Sequence, residues 1–223
     1  LARNKVLEYD EAPGLRPGMK TVGRRLNTFL GYVTNGLYEN YTDVEESPTS
    51  TLGNIAISPG DIKYVDQPDA NGNYDGRITS DDRVEIGDPW IPEIVYGFGP
   101  SMRWKNWDFS FFFQGQTNVS LIMENFEPFG ERSARGVLAW IADDYWSPDY
   151  PNVNAKHPRL TRLTNNHNMQ VSTYWLRDAS FLKLKNVELG YSYKKARFYI
   201  SGSNLLTISP FKHWDPEVGT GAG

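Results

Sequence analysis

The sequence predicts an all-β chain: an antiparallel transmembrane β-barrel segment, about five strands, carrying long connecting loops. The main observation is the stretch Ile94 to Gly115, which reads as two strands joined by a tight turn at Lys105-Asn106. Ile94, Tyr96, Phe98, Met102 and Trp104 alternate with small or polar residues, and Trp107, Phe109, Phe111 and Phe113 alternate with Asp108, Ser110 and Gln114. Period-two alternation sends each set to its own face of a sheet. The apolar face ends in aromatic residues, Tyr96 and Phe113 on one side and Trp104 and Trp107 on the other, and each strand has about the 9–11 residues that cross a bilayer at a tilt. A hairpin of a soluble β-sandwich shows the same alternation, so the hairpin alone leaves both architectures open.

Loop lengths favour the barrel. The turns at 105–106 and at Lys194-Lys195 are as short as turns get, whereas the connections at about 10–92 and 117–173 are very long. Short turns on one rim and long loops on the other is the layout of an outer-membrane barrel, and a sandwich has no reason to sort its loops in this way.

The remaining elements follow in order. Leu1 to Tyr9 reads as the tail of a strand, broken by Pro13, Gly14, Pro17 and Gly18. Thr28 to Tyr41 reads as short strands and turns, and Glu45 to Pro59 as a loop. Ala134 to Trp146 reads as a short helix with Val137, Leu138, Ile141 and Tyr145 on one side, stopped by Ser147-Pro148. Tyr174 to Tyr193 reads as a strand whose apolar phase flips between Leu182-Leu184 and Val187-Leu189, so a β-bulge belongs near Lys185-Asn186. Arg197 to Leu206 returns as the last strand, with Phe198 and Ile200 on one face.

Composition narrows the function. The chain of 223 residues has no cysteine, which excludes a disulfide framework and thiolate metal sites. A net charge of −4 argues against a nucleic-acid partner. No apolar run approaches the roughly 18 residues of a membrane helix, which does not bear on a barrel whose strands are only half apolar. Seven tryptophans and thirteen tyrosines suit membrane girdles and carbohydrate-binding surfaces alike. No signal peptide opens the chain and Val218 to Gly223 is no strand ending, so it reads as a fragment.

Several residues carry candidate chemistry. Asn71, Asn73, Asp75, Arg77 (through its carbonyl) and Asp82, with Gly76 at the bend, have the spacing of an EF-hand-type calcium loop. The same residues also suit an Asx-rich turn that needs no metal. Trp140, Trp146 and Tyr150 are candidate platforms for sugar rings, with loop packing as their other use. Asp143 and Asp144 are adjacent and make a poor acid/base pair, and the remaining acidic residues sit in turns without the convergent pairing of a glycoside hydrolase, so no enzyme is expected. His157, His167 and His213 lack ligand spacing and read as loop residues. Arg103, Asp108, Ser110, Gln114, Asn186 and Glu188 would line the wet face of the wall.

Taken together, GYVTNGLYEN (31–40), PGDIKYVD (59–66), the Asn73 to Asp82 run, IGDPWIPEIVYGFGPSMRWKNWDFSFFFQGQ (86–116), PRL (158–160) and the two strands from Trp175 onward resemble the C-terminal part of SusC/RagA-type TonB-linked outer-membrane transporters. The resemblance runs in order over nearly the whole chain. One departure is that the family's D-x-N-G-D-G loop is stretched here, from Asp69 to Gly76. The resemblance implies a barrel of about 22 strands with an N-terminal plug, set in outer-membrane lipid. It implies a SusD-like lipoprotein lid, energy from TonB through a part of the protein outside this chain, and import of oligosaccharides or peptides. The competing reading is a soluble, calcium-stabilised carbohydrate-binding β-sandwich module.

Overall fold

The computed structural model describes residues 3–123 and 137–218. In chain order the strands are β1 (Phe29–Gly31), β2 (Thr34–Leu37), β3 (Thr49–Ser50), β4 (Ile62–Tyr64), β5 (Arg77–Ile78), β6 (Val84–Ile86), β7 (Ile94–Phe98), β8 (Ser101–Trp104), β9 (Trp107–Thr117), β10 (Ser120–Ile122), β11 (Leu176–Asp178), β12 (Phe181–Tyr193) and β13 (Ala196–Ile208). The helices α1 (Tyr41–Glu46) and α2 (Ala139–Ala142) are short. The chain divides into two compact units. One holds residues 88–121 and 177–223 with the first four residues, and the other holds 5–87 and 122–176.

The first unit is a five-stranded antiparallel sheet in the order β13-β12-β9-β7, with β8 also paired to β9. Its register puts like with like. Tyr191, Leu189, Val187 and Leu184 lie opposite Trp107, Phe109, Phe111 and Phe113. Phe198, Ile200, Leu206 and Ile208 continue the same rows on β13. The expected bulge is present: Lys185 is the extra residue, since Leu184 faces Phe113 while Asn186 faces Phe112. The bulge restores the phase, so apolar residues on both sides of it share one face. Both hairpins turn in two residues, with Lys105 and Lys194 at φ 54 and 52, a left-handed conformation that costs a non-glycine residue roughly 1–2 kcal/mol.

Three strand expectations are corrected. The strand expected over 93–104 is interrupted at Gly99-Pro100. Proline brings no N–H to the ladder, and a Cβ on Gly99 would stand 2.3 Å from the Phe111 carbonyl oxygen. Pairing resumes in the same register on either side, Phe98 with Phe113 and Ser101 with Ser110. The strand expected over 174–193 is two, β11 and β12. Residues 3–10 form no strand; Val6 instead exchanges backbone hydrogen bonds with Gly23 and Arg24, both 2.9 Å.

The second unit gathers what sequence patterning marks as loops. It has three two-stranded sheets, β1 with β6 and β2 with β4 antiparallel and β3 with β5 parallel. Tyr38, Ile62, Tyr64, Ile78, Trp146 and Trp175 are among its buried side chains. Little of this core is regular structure, and a buried polar hub takes its place. The Asp61 carboxylate, 1% exposed, accepts two bonds from the Arg159 guanidinium (2.7 and 3.0 Å) and bonds from Asn165 (3.0 Å), Asn168 (2.8 Å) and the Ser58 N–H (2.9 Å). Satisfied in this way, a buried carboxylate cross-links segments that no ladder joins. His157 and His167 are 1% exposed, so they are core residues and not the loop residues that spacing suggested. His167 Nε2 lies 2.7 Å from the Ile62 carbonyl, and burial holds its imidazole below the ordinary range. The helix expected over 134–146 is a single turn, 139–142, and residues 134–136 lie outside the described residues. Leu138 at its N-cap supplies no side-chain bond, and Asp143 and Asp144 stand at the end where the dipole disfavours negative charge.

Candidate functional site

The polar face of the sheet brings together residues that the sequence spread over three strands. Arg197 on β13 reaches across β12 to Asp108 on β9, its Nε 3.2 Å from Oδ1 and its Nη2 closer still to Oδ2, and the same Nη2 bonds Glu188 at 2.5 Å. The bridge passes over Gly190, where an added Cβ would lie 2.5 Å from Asp108 Oδ2 and 2.6 Å from Arg197 Nη2. The glycine therefore clears the path. Asp108 and Glu188 thus share one cation, while Ser110, Gln114 and Asn186 occupy other positions of that face and Arg103 lies opposite Asp108 on β8. Sequence reading missed Arg197 as a residue of this face, although its alternation with Phe198 and Ile200 signals that face. It also missed Phe112, an aromatic ring on the polar face packed over Gly97 and Gly99.

On the same face, at the end away from the tight turns, Lys183 is 1% exposed and donates to Asp215 (2.5 Å) and Glu217 (2.9 Å). Lys185 also bonds Glu217, at 2.7 and 2.8 Å. The segment from Phe211 to Glu217 is thereby strapped to β12, with Phe211 buried and Trp214 edge-on to it at 4.4 Å. Burial alone would raise the Asp215 carboxyl, but the Lys183 bond holds it below the ordinary range. Glu217 is lowered by its bonds to Lys185 and Lys183.

The candidate calcium loop has another partner. Arg16 Nη1 donates to Asp82 Oδ1 (2.7 Å) and to the Gln67 carbonyl (2.5 Å), and Nη2 donates to Asp75 Oδ2 (2.5 Å). Asp82, fully buried, also accepts from the Gln67 N–H (3.0 Å) and the Thr79 N–H (2.6 Å). Asn71 and Asn73 are exposed, and their N–H groups cap Asp69 at 2.7 and 2.9 Å. The Arg77 N–H donates to Asp75 Oδ1 at 2.9 Å. These donors do not fit a divalent ion, because the carboxylates of the expected frame converge on a guanidinium. Among the described residues no group of three or more His, Asp or Glu is arranged to hold a metal. Asp66, outside the expected frame, joins the cluster with Oδ2 on the Gly76 N–H at 2.8 Å. Burial, opposed by that bond and reinforced by the Asp82 carboxylate, pushes its carboxyl up.

The three aromatic candidates are not brought together as a platform. Trp146 is 7% exposed and its indole covers Gly60, so of its two candidate uses loop packing is the one seen: the ring fills the space a side chain at position 60 would need. Trp140 packs against His157 at 5.0 Å. Tyr150 is 78% exposed. A polar cleft of about 480 Å³, which sequence reading did not anticipate, lies among Asn35, Glu39, Asn40, Asp43, Lys63 and Asn154. Lys63 bonds Asp43 there at 2.5 Å and, against burial, holds that carboxyl low.

No family model matches the chain. It is 30% identical to TonB-dependent receptor P26 and 28% identical to TonB-dependent receptor P3, both of Formosa agariphila, over 95% of its own length and 21% of theirs. It is 27% identical to TonB-dependent receptor SusC of Bacteroides thetaiotaomicron over 86% of its length and 18% of SusC. The chain thus spans about a fifth of the curated relatives it matches. Among solved structures it superposes on the RagAB peptide transporter with a TM-score of 0.59 at 22% identity, covering 89% of this chain and 21% of that one. On the RagAB peptide importer in its open-open state the TM-score is 0.55 at 19% identity, covering 86% and 20%. These two likenesses bear on the fold, which is mostly β with the alternation of a barrel wall. By its sequence, the chain is similar over nearly its whole length to TonB-dependent receptors, SusC among them, and matches their C-terminal part.

Proposed function

We propose that this chain is part of the wall and surface loops of an outer-membrane importer that takes up oligosaccharides or peptides. In this reading it works under a SusD- or RagB-like surface lipoprotein, with energy from TonB delivered through another part of the protein. The observation that supports it most is the sheet itself. One face carries Trp107, Phe109, Phe111, Phe113, Leu189, Tyr191, Phe198 and Ile200 in continuous rows, and the other carries the Asp108–Arg197–Glu188 bridge. A sheet greasy on one side and ionic on the other, with Phe198 and Ile200 still 63% and 72% exposed, suits lipid on one side and a wet lumen on the other. The rival soluble sandwich would bury that face, whereas Trp104 on it is 68% exposed. The sheet then closes with further strands into a barrel. In this reading the long connections serve as extracellular loops, and Tyr150 and the cleft at Asn35 and Lys63 are offered to the lid or the ligand.

The test is made on the whole protein in its native membrane. Outer-membrane fractions run on SDS gels with and without boiling should show a heat-dependent mobility shift, and a lipoprotein should co-purify in mild detergent. Recovery of the protein in the soluble fraction would sink the importer reading and favour the binding module.

A further inference from the structure

The loop between Gln67 and Asp82 has the spacing of a calcium loop yet fails to fit the ion, and the reason is a residue about sixty positions earlier in the chain. Arg16 precedes Pro17, so its backbone is held extended (φ −60, ψ 149) at the entry to a 3-10 turn. From there its guanidinium, 14% exposed, meets Asp82, Asp75 and the Gln67 carbonyl, at 2.7, 2.5 and 2.5 Å. Asp66, 7% exposed, turns Oδ1 to the same centre, 3.8 Å from Arg16 Nη1, and that oxygen has no hydrogen-bond partner. Three carboxylates and a main-chain carbonyl face one positive centre: these are the donor types an oxygen-loving cation takes, but they are not arranged around a single ion. A guanidinium supplies a delocalised charge and a planar array of N–H donors to the same set, and does not dissociate.

The other tasks of a metal loop are also discharged without metal. Asp69 caps the turn through the N–H groups of Asn71 and Asn73. Gly72 and Gly76, at φ 87 and 70, make the two bends. Asp82 closes a capping box with Thr79. Asp75 is 46% exposed, so solvent screens part of the surplus negative charge.

We propose that Arg16 is the resident cation of this loop: an arginine of the same chain stands where a divalent ion would, and the loop is ordered independently of calcium. This inference does not rest on the transport reading.

The whole protein, purified in detergent, is the material for the test. Trypsin cleavage after Arg77, which is exposed in the loop, reports loop order, and terbium emission sensitised by the nearby Tyr74, 66% exposed, reports ion binding. In the unaltered protein cleavage should be equally slow in millimolar calcium and in excess chelator, and terbium should give no emission that Asp75→Asn removes. Arg16→Ala should raise the cleavage rate at least tenfold. Arg16→Lys, which keeps the charge without the fork, should fall between, and covers the case in which the alanine variant does not fold. Asp75→Asn should add little to Arg16→Ala, because the Arg16–Asp75 contact it weakens is already gone. Protection of the unaltered loop by calcium, terbium emission lost in Asp75→Asn, or unchanged cleavage in both Arg16 variants would each overturn the proposal.

Discussion

At the scale of single residues, Asp61 and Gly60 decide whether the loop unit holds together. Asp61 is buried with five bonds, and Arg159 supplies its charge partner from 98 positions away. Removing one partner of a buried pair leaves the other charge uncompensated, so Arg159→Ala should lower stability by about 3–5 kcal/mol. Asp61→Asn keeps the shape but strands the arginine and turns an NH2 toward N–H donors, so it should cost a comparable amount, and thermal melting of the two variants would check this. Gly60 sits at φ 85 with the Trp146 indole over it, and an added Cβ would stand 2.3 Å from the ring. Gly60→Ala should therefore cost about 2–4 kcal/mol through backbone strain and overpacking together, read as a fall in melting temperature and a red shift of tryptophan emission. The sequence showed a Pro-Gly-Asp and a Pro-Arg-Leu, but not that the aspartate of one binds the arginine of the other.

At the scale of elements, the strap from Phe211 to Glu217 depends on charge. Asp215 and Glu217 have lowered carboxyl values because they accept from Lys183 and Lys185. A carboxylate lowered on folding contributes stability that is fully present above the ordinary carboxylate range. That contribution is lost as pH falls through the lowered value. The strap should accordingly hold at neutral pH and loosen below about pH 4, the ordinary carboxylate range. The change should be followed through Trp214 emission, and Lys183→Met should reduce the pH dependence and loosen the strap at neutral pH, leaving only the Lys185–Glu217 pair. A strap unaffected by pH in the unaltered protein would show that Phe211 and Trp214 packing holds it without the ion pairs. The hairpins themselves were legible, since alternation, turn length and the phase flip at Lys185 are all local. The interruption at Gly99-Pro100 was legible too, in the proline, but alternation continued through it and masked it.

At the scale of the whole molecule, the sheet separates two environments and the two faces should tolerate charge differently. Phe111 and Ser110 are adjacent on β9 and point to opposite faces, opposite Val187 and Glu188 respectively. In a barrel wall, Phe111→Lys near the middle of the apolar face should cost about 2–4 kcal/mol, whereas Ser110→Lys, beside Glu188, should cost little. The heat-dependent gel shift of each variant after refolding into lipid would measure the difference, and equal tolerance on both faces would count against a lipid-facing wall. The two long connections were expected as loops, and their described residues carry short strands and buried histidines, tyrosines and tryptophans. Their signal was weak because their strands are only two to four residues long, too short for a period to register.

The sequence by itself determined what depends on neighbours along the chain: the hairpins, the two faces, the bulge and the tight turns. These follow from the two-residue repeat of an extended backbone and need no knowledge of where the chain returns. Only the tertiary structure decided which charges meet. It set Arg16 among Asp66, Asp75 and Asp82, Arg159 on Asp61, and Arg197 across Gly190 onto Asp108, and it buried Trp146 where the sequence left both a presented ring and loop packing open. Contacts between residues tens of positions apart depend on the path of the whole backbone, so no local spacing can specify them.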